Sequence, residues 1–539
     1  MSHRSPLTFV TAVAAGALLL TGCSSPASSG SGDTIRWALG GANLENGHMD
    51  PHKSQLDVSA MVGRLSLDSL TYLDAEGVLH PWLATDWTVS EDGTHVTLDL
   101  RDDVTFSDGE KFDAAAVKAN FDHVVAEDTA SAQAADLLGG ESYLETVVVD
   151  DDTVDVVFSQ PFTPFLTNAS TAFLGMYSPK ALAQSPERLA TGGPGVTVGS
   201  GPWVLTEQVA GDHLSYERNP DYAWAPAGLD ADASTSTKLQ VSLVPDAKIR
   251  AESFRAGQVD LASELTPSTA SELTADGFDV SAVPSPGVPY SLYLNIQHGA
   301  LDDVRVRQAL GLGVDIDAAV ESVFSGQFKR AESVLSPSTP GVYASELDGS
   351  AVFDAERAGK LLDAAGWDTI GADGIRTRGG ERLTLTWASW TPFPEDRLSL
   401  AAYLIDGWRG IGVEVDHQVL EPGAYNEAYG AGAFDLTDWG FAATDGDVLR
   451  NHLHSEGFQN ASHVSDPALD AALEAAAAEQ DPAVRAQQYR DLQVENAEQV
   501  WILPLYSPGV LTAHAKNVDG LFFDGFGWPV LAGPAAAGA

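Results

Sequence analysis

The chain has 539 residues, with 29 Lys and Arg against 76 Asp and Glu, for a formal charge of −47 at pH 7. That balance excludes nucleic acid and makes an anionic bilayer surface a poor partner, because a phosphate footprint needs clustered cations; an acidic, well-solvated surface accounts for it. Apolar residues at 44% and 12 tryptophans exclude disorder, and the length excludes a single core.

At the N-terminus His3 and Arg4 form a short positive segment, and Phe9 to Leu20 make an apolar run of signal-peptide length, too short for a permanent membrane span. Thr21 and Gly22 are small, and Cys23 behind them is the only cysteine. The tetrad Leu20-Thr21-Gly22-Cys23 resembles a bacterial lipobox, which implies cleavage before Cys23, diacylation of its sulfur and a chain tethered outside the cytoplasmic membrane. An ordinary secretory leader with an incidental cysteine is the alternative. Residues 24–32 are rich in Ser, Gly and Pro, the composition of a flexible leash, so the expected layout is a signal peptide over 1–22, a lipidated tether over 23–32 and a folded part from Asp33. With Cys23 committed to lipid, disulfides and thiolate metal sites are excluded. No later stretch reaches transmembrane length without charge.

Beyond Asp33, segments of period 2 and period 3.6 interleave, as expected of α/β or mixed α+β domains. Thr94 to Leu100 alternates, with Val96, Leu98 and Leu100 on one face. Asp113 caps a predicted helix whose stripe is Val117, Phe121, Val124 and Val125. Val147–Val149 and Val154–Phe158, separated by the acidic turn Asp150–Asp152, read as a hairpin. A helix from Asp354 places Ala358, Leu361, Leu362 and Ala365 on one side and stops at Gly366. Leu400 to Trp408 is another amphipathic helix, closed by Gly410, and a strand begins at Val413 and Val415. Asp466-Pro467 and Asp481-Pro482 each present a cap followed by proline at the first helical position.

Several of these stretches are similar to one family. Tyr72 to Phe121 contains Pro81-Trp82-Leu83-Ala84, the turn Ser90-Glu91-Asp92-Gly93 and Leu100-Arg101-Asp102-Asp103-Val104-Thr105-Phe106-Ser107-Asp108-Gly109. Asp50-Pro51, Gly199 to Trp203, Arg250 to Asp260, Val304 to Leu310, Leu361 to Trp367, Phe434 to Trp439 and Ile502 to Tyr506 extend the likeness. Together they resemble the substrate-binding lipoproteins of ABC importers, solute-binding protein family 5, the peptide and nickel type. The resemblance implies a bilobal periplasmic-binding-protein-like fold (class II, cluster C) with an extra domain inserted in the first lobe. Lobe I is then expected over 33–70, 195–289 and 504–539, the inserted domain over 71–194 and lobe II over 290–503. The crossings near Tyr290–Asn295 and Leu503–Tyr506 would form a hinge, and a ligand touching both lobes would favour the closed arrangement. The implied partners are a small-molecule or peptide ligand and the membrane permease and ATPase. The body is expected to be a monomer held at the membrane by its lipid, on the cell surface or in the periplasm.

By the same resemblance, ligand contacts fall in three loops. The first is Gly41 to Glu45, with Asn43 as the contact. The second is taken to follow a strand ending at Trp387 and supplies Ser389 and Trp390. The third, Trp439 to Arg450, supplies Trp439, Asp445 and Arg450. Peptide binders of the family commonly carry an Asp three residues after the Trp, where this chain has Ala442; Asp445 and Asp447 are near enough to substitute. Asp445-Gly446 is equally a turn dipeptide, Arg450 equally a surface ion pair, and the tryptophans equally core residues. His417, His452, His454 and His463 keep nickel or an opine-type metallophore open as the alternative cargo, since imidazole suits that metal. No metal-ligand set is assigned and no cofactor is expected. The chain has no Gly-x-Ser-x-Gly, no Gly-Lys-Ser/Thr phosphate loop and no His-Glu-x-x-His, so an enzyme is not expected either.

Overall fold

The computed structural model describes residues 33–531, apart from 42–43, 75–76, 132, 227–228, 230–235, 517 and 519. Cys23, the leader, the tether and Asn43 therefore lie outside the described residues.

Two sheets organise the chain. The first has seven strands in the order 280–284, 509–514, 261–262, 34–39, 238–243, 213–218 and 203–209. Its middle is parallel, Thr34–Leu39 running with Lys238–Leu243 and with Leu261–Ala262, and its flanks are antiparallel. The second has six strands in the order 329–330, 502–507, 287–294, 436–442, 384–390 and 414–420. All eight residues of Gly287–Leu294 are buried, as a central strand covered on both faces requires. A separate four-stranded antiparallel sheet, 84–89, 95–100, 153–158 and 143–148, is packed by the helix Ala114–Val125.

Local signals held where they depended on neighbours in sequence. Asp113 accepts from Ala116 N, Asp354 from Arg357 N, Asp466 from Ala468 N, and Asp481 from both Ala483 N and Val484 N. The acidic turn joins Tyr143–Val148 to Thr153–Phe158, as expected. Val117, Phe121 and Val124 are buried, but Val125 at the helix end faces out. The helix expected at Leu400–Trp408 runs Glu395–Gly410, and the left-handed glycine that ends it is Gly412, not Gly410.

The chain passes from the first sheet to the second between Pro284 and Gly287, and returns between Ser507 and Gly509. The two passages lie side by side, Ser285 N donating to Pro508 O at 2.9 Å. Tyr290–Leu294 and Leu503–Tyr506, where the crossings were expected, are inside paired strands.

Candidate functional site

The second sheet aims two strand ends at the first. Thr384–Trp390 and Leu436–Ala442 run parallel and end near each other, so the residues expected in loops after them are partly within the strands. Ser389, Trp390 and Trp439 are strand residues; only 443–447 form a loop, and Arg450 lies in the short helix Val448–Leu453.

Ser389 is buried inside a polar knot. Its hydroxyl donates to the Asp438 carboxylate, which also accepts from Trp387 Nε1 and Tyr290 OH, both at 2.5 Å. His417 Nε2 donates to Ser389 Oγ at 3.0 Å. Burial pushes the Asp438 carboxyl up to about 6 against these donors and the Arg397 charge.

Trp439 is buried and stacks on Tyr293, ring centroids 4.1 Å apart; His452 stacks on the same Tyr293 at 5.8 Å. The Trp439 Nε1, Tyr293 hydroxyl and His452 Nε2 have no hydrogen-bond partner among the described residues. Burial lowers His452 to about 4, which makes it a neutral member of this stack. Trp390, by contrast, is 46% exposed, its ring nearly perpendicular to that of Tyr425 with centroids 5.3 Å apart.

The loop 443–447 is fastened from behind. Arg485, on the helix Pro482–Gln499, reaches Asp445 with Nη2 at 2.6 Å and Nη1 at 2.9 Å. Asp447 takes Arg450 Nη2 at 2.7 Å and Nε at 3.0 Å. Burial alone would lower both guanidiniums, but the adjacent carboxylates hold them above their usual value. Asp445 and Arg450 are thus each committed to an internal partner, and neither meets the other. Gly446 lies against Tyr489 so closely that a Cβ would come within 2.8 Å of its ring. Gly446→Ala is accordingly expected to cost about 1–3 kcal/mol of stability through overpacking, read as a lowered thermal midpoint; an unchanged midpoint would refute the packing argument.

What this loop presents forward is Thr444. It lines a cavity whose other walls include Arg64, Asp68, Ser170, Tyr222 and Asp524. Arg64 is buried, donating to Ser69 Oγ at 2.8 Å and to Ser170 O at 2.6 Å, with its guanidinium 5.1 Å above Trp82. Asp68 accepts from Ser200 and Trp224 on one oxygen only. Its other oxygen, and the Thr444 hydroxyl, are buried with no partner among the described residues. Burial raises Asp68 and Asp524 to about 6 each. Asp57, at the start of the helix that leads to Arg64, is solvent-exposed and outside the cavity lining, within electrostatic reach of Asp524. The surrounding protein, with Glu264 and Asp524 repelling it, pushes its carboxyl up to about 7. Glu264 accepts Gly40 N at 2.7 Å, just ahead of the first expected loop.

The cavity holds about 30 Å³, room for one or two waters. That volume is too small for a dipeptide. Elsewhere, Thr163 N donates to Ala477 O at 3.1 Å and Asn451 Nδ2 to Asp136 Oδ2 at 2.7 Å. Sequence reasoning missed Arg64, Asp57, Asp68 and Asp524, because nothing in their local context distinguishes them from the other acids, of 76 in all, and from the other arginines.

The model for bacterial extracellular solute-binding proteins, family 5 Middle, matches residues 78–459. The nickel-binding periplasmic protein of Escherichia coli K12 is 26% identical over 476 residues, 85% of this chain and 86% of that protein. The glutathione-binding protein GsiB of Salmonella paratyphi A is 27% identical over 488 residues, covering 88% and 89%. Among solved structures, NikA from Brucella suis in complex with Fe(III)-EDTA superposes with a TM-score of 0.77 at 26% identity, covering 92% of this chain and 97% of that one.

Proposed function

The chain belongs to the bacterial extracellular solute-binding proteins of family 5, and from that premise we propose that it captures peptides bearing a free ammonium terminus in the crevice between Thr444 and the wall of Asp68 and Asp524, with Asp57 beside it. It is a bilobal binding protein for ABC import rather than an enzyme, and its place is outside the cytoplasm. Among the described residues no helix is long and apolar enough to cross a membrane. Anchoring through a lipidated Cys23 is part of the proposal, supported by the tetrad before it.

One observation carries the reading: carboxylates outnumber cations around a small cavity that also contains unpartnered buried oxygens. Glu264 and Asp524 disfavour the ionised form of Asp57, and an arriving ammonium relieves that repulsion. Asp57 and Asp524 thereby take over the task that an acidic residue at the position of Ala442 performs in other peptide binders. A solute touching both this wall and Thr444 favours the closed form by its differential affinity. The paired passages at Ser285 and Pro508 are the proposed hinge. Trp390 offers an aromatic platform beside the crevice, whereas Ser389, Trp439, Asp445 and Arg450 support the loops from within.

The relatives named for nickel motivate a second reading, a metal chelate as cargo. Among the described residues no histidine lines this cavity, which favours the ammonium. Calorimetry of the purified protein against peptide mixtures, with and without nickel, decides between them. Binding of free peptides with loss on N-acetylation is expected; no heat with any peptide but heat with a nickel chelate would retire the peptide reading. Asp57→Asn is expected to weaken a peptide about tenfold or more, the worth of a charge-assisted hydrogen bond. Because Asp57 must ionise to hold a cation and its carboxyl sits at about 7, affinity is expected to fall as the pH drops from 8 to 6. A flat profile would remove Asp57 from the site.

A further inference from the structure

Away from the crevice, Asp50, His52 and His123 bring three candidate ligand atoms within 4.8 Å of one another. Asp50 and His52 are buried, 1% and 0% exposed, in the turn after the first strand. His123 comes from the last turn of the helix Ala114–Val125. The hydrogen bonds around each ring determine where its proton sits. His52 Nε2 lies 2.8 Å from Gly175 O, and a carbonyl only accepts, so Nε2 carries the hydrogen and Nδ1 the lone pair. That Nδ1 is buried and has no partner among the described residues. Thr129 Oγ1 donates to His123 O at 2.6 Å, so at 3.1 Å it can only accept from His123 Nδ1. The neutral His123 ring therefore carries its lone pair on Nε2, which faces Asp50 Oδ2 at 3.3 Å. The other Asp50 oxygen accepts from His52 N at 3.0 Å and orients the carboxylate.

With His123 neutral, three electron pairs converge on one point. We infer that Asp50, His52 and His123 form a binding site for a divalent transition metal, Zn²⁺ being the best match to two imidazoles and one carboxylate. Each imidazole already donates its remote N–H to an oxygen, the outer arrangement that orients metal-binding histidines. Bonds of about 2.0–2.1 Å place tetrahedral ligands about 3.3 Å apart, so a contraction of up to about 1.5 Å around the ion completes the triad, with water as fourth ligand. Bound there, the ion ties the turn at 50–52 to the helix of the four-stranded sheet. Its role is structural and separate from any metal carried in the crevice.

The rival occupant is a proton: an imidazolium at His123 paired with Asp50 would leave His52 Nδ1 idle. The test uses the full chain, treated with chelator, desalted and titrated with Zn²⁺ alone. One ion per chain with a Kd of about 1 μM or tighter is expected, together with a higher thermal midpoint. X-ray absorption on the wild-type zinc protein is expected to show two imidazoles in the first shell, a readout that needs no variant to fold. His52→Gln and His123→Gln should each weaken binding at least tenfold, and each should lose the zinc-dependent rise in midpoint. No stoichiometric zinc binding, equal binding by both variants, or a first shell with fewer than two imidazoles would each overturn the assignment.

Discussion

Arg485→Met is expected to lower the unfolding free energy by about 3–5 kcal/mol, the cost of stranding one half of a buried ion pair. Both members are about nine-tenths covered, 11% and 10% exposed, so water cannot replace the lost partner of Asp445. Arg485 also donates to Ala476 O at 3.1 Å and lies 4.9 Å over the Tyr489 ring, against which Gly446 packs. Removing the guanidinium therefore loosens the loop that carries Thr444, and solute affinity should fall along with stability. Denaturant unfolding measures the first and calorimetry the second. In a double-mutant cycle, Asp445→Leu combined with Arg485→Met should recover much of the stability, because the stranded charge is gone. If both single variants unfold within about 1 kcal/mol of the wild type, the pair is not the fastening described.

Asp438→Ala is expected to cost about 3 kcal/mol or more. The substitution leaves the Ser389 hydroxyl, the Tyr290 hydroxyl and Trp387 Nε1 facing an emptied site, and each buried orphan costs about 1–3 kcal/mol. The effect also has a pH signature. The folded carboxyl sits at about 6 against an ordinary 3.8, so between these values the folded state binds more protons at Asp438 than the unfolded chain does. Stability from this group is complete below pH 4 and is lost as the pH rises to 6, by about 3 kcal/mol in total. The gap between wild type and Asp438→Ala should therefore be wider at pH 4.5 than at pH 7. A gap independent of pH would show that Asp438 is ionised throughout, with its three donors outweighing burial.

These two predictions concern residues of opposite legibility. Asp445 was visible as a member of an expected contact loop, but its partner is 40 positions away on another helix. Ser389 was named as a contact, whereas the structure commits its hydroxyl to an acid from a neighbouring strand. Trp390 was indistinguishable in sequence from Trp439; sheet register exposed one and buried the other. The cavity wall was not legible at all, since Arg64, Asp68, Thr444 and Asp524 share no spacing.

What is local or shared along a long string is readable from the residues alone: the family signature, the caps at Asp113, Asp354, Asp466 and Asp481, and the hairpin around Asp150–Asp152. A cap's hydrogen bond closes within about three residues, and alternation along a strand records which face is buried, so both can be read without knowing the partner. Which charges are spent internally, where the chain crosses between sheets, and that Asp50 and His123, 73 positions apart, meet beside His52 emerge from the folded arrangement. Those outcomes depend on which strands pair and in what register, and the partner of a buried polar group is selected by that pairing.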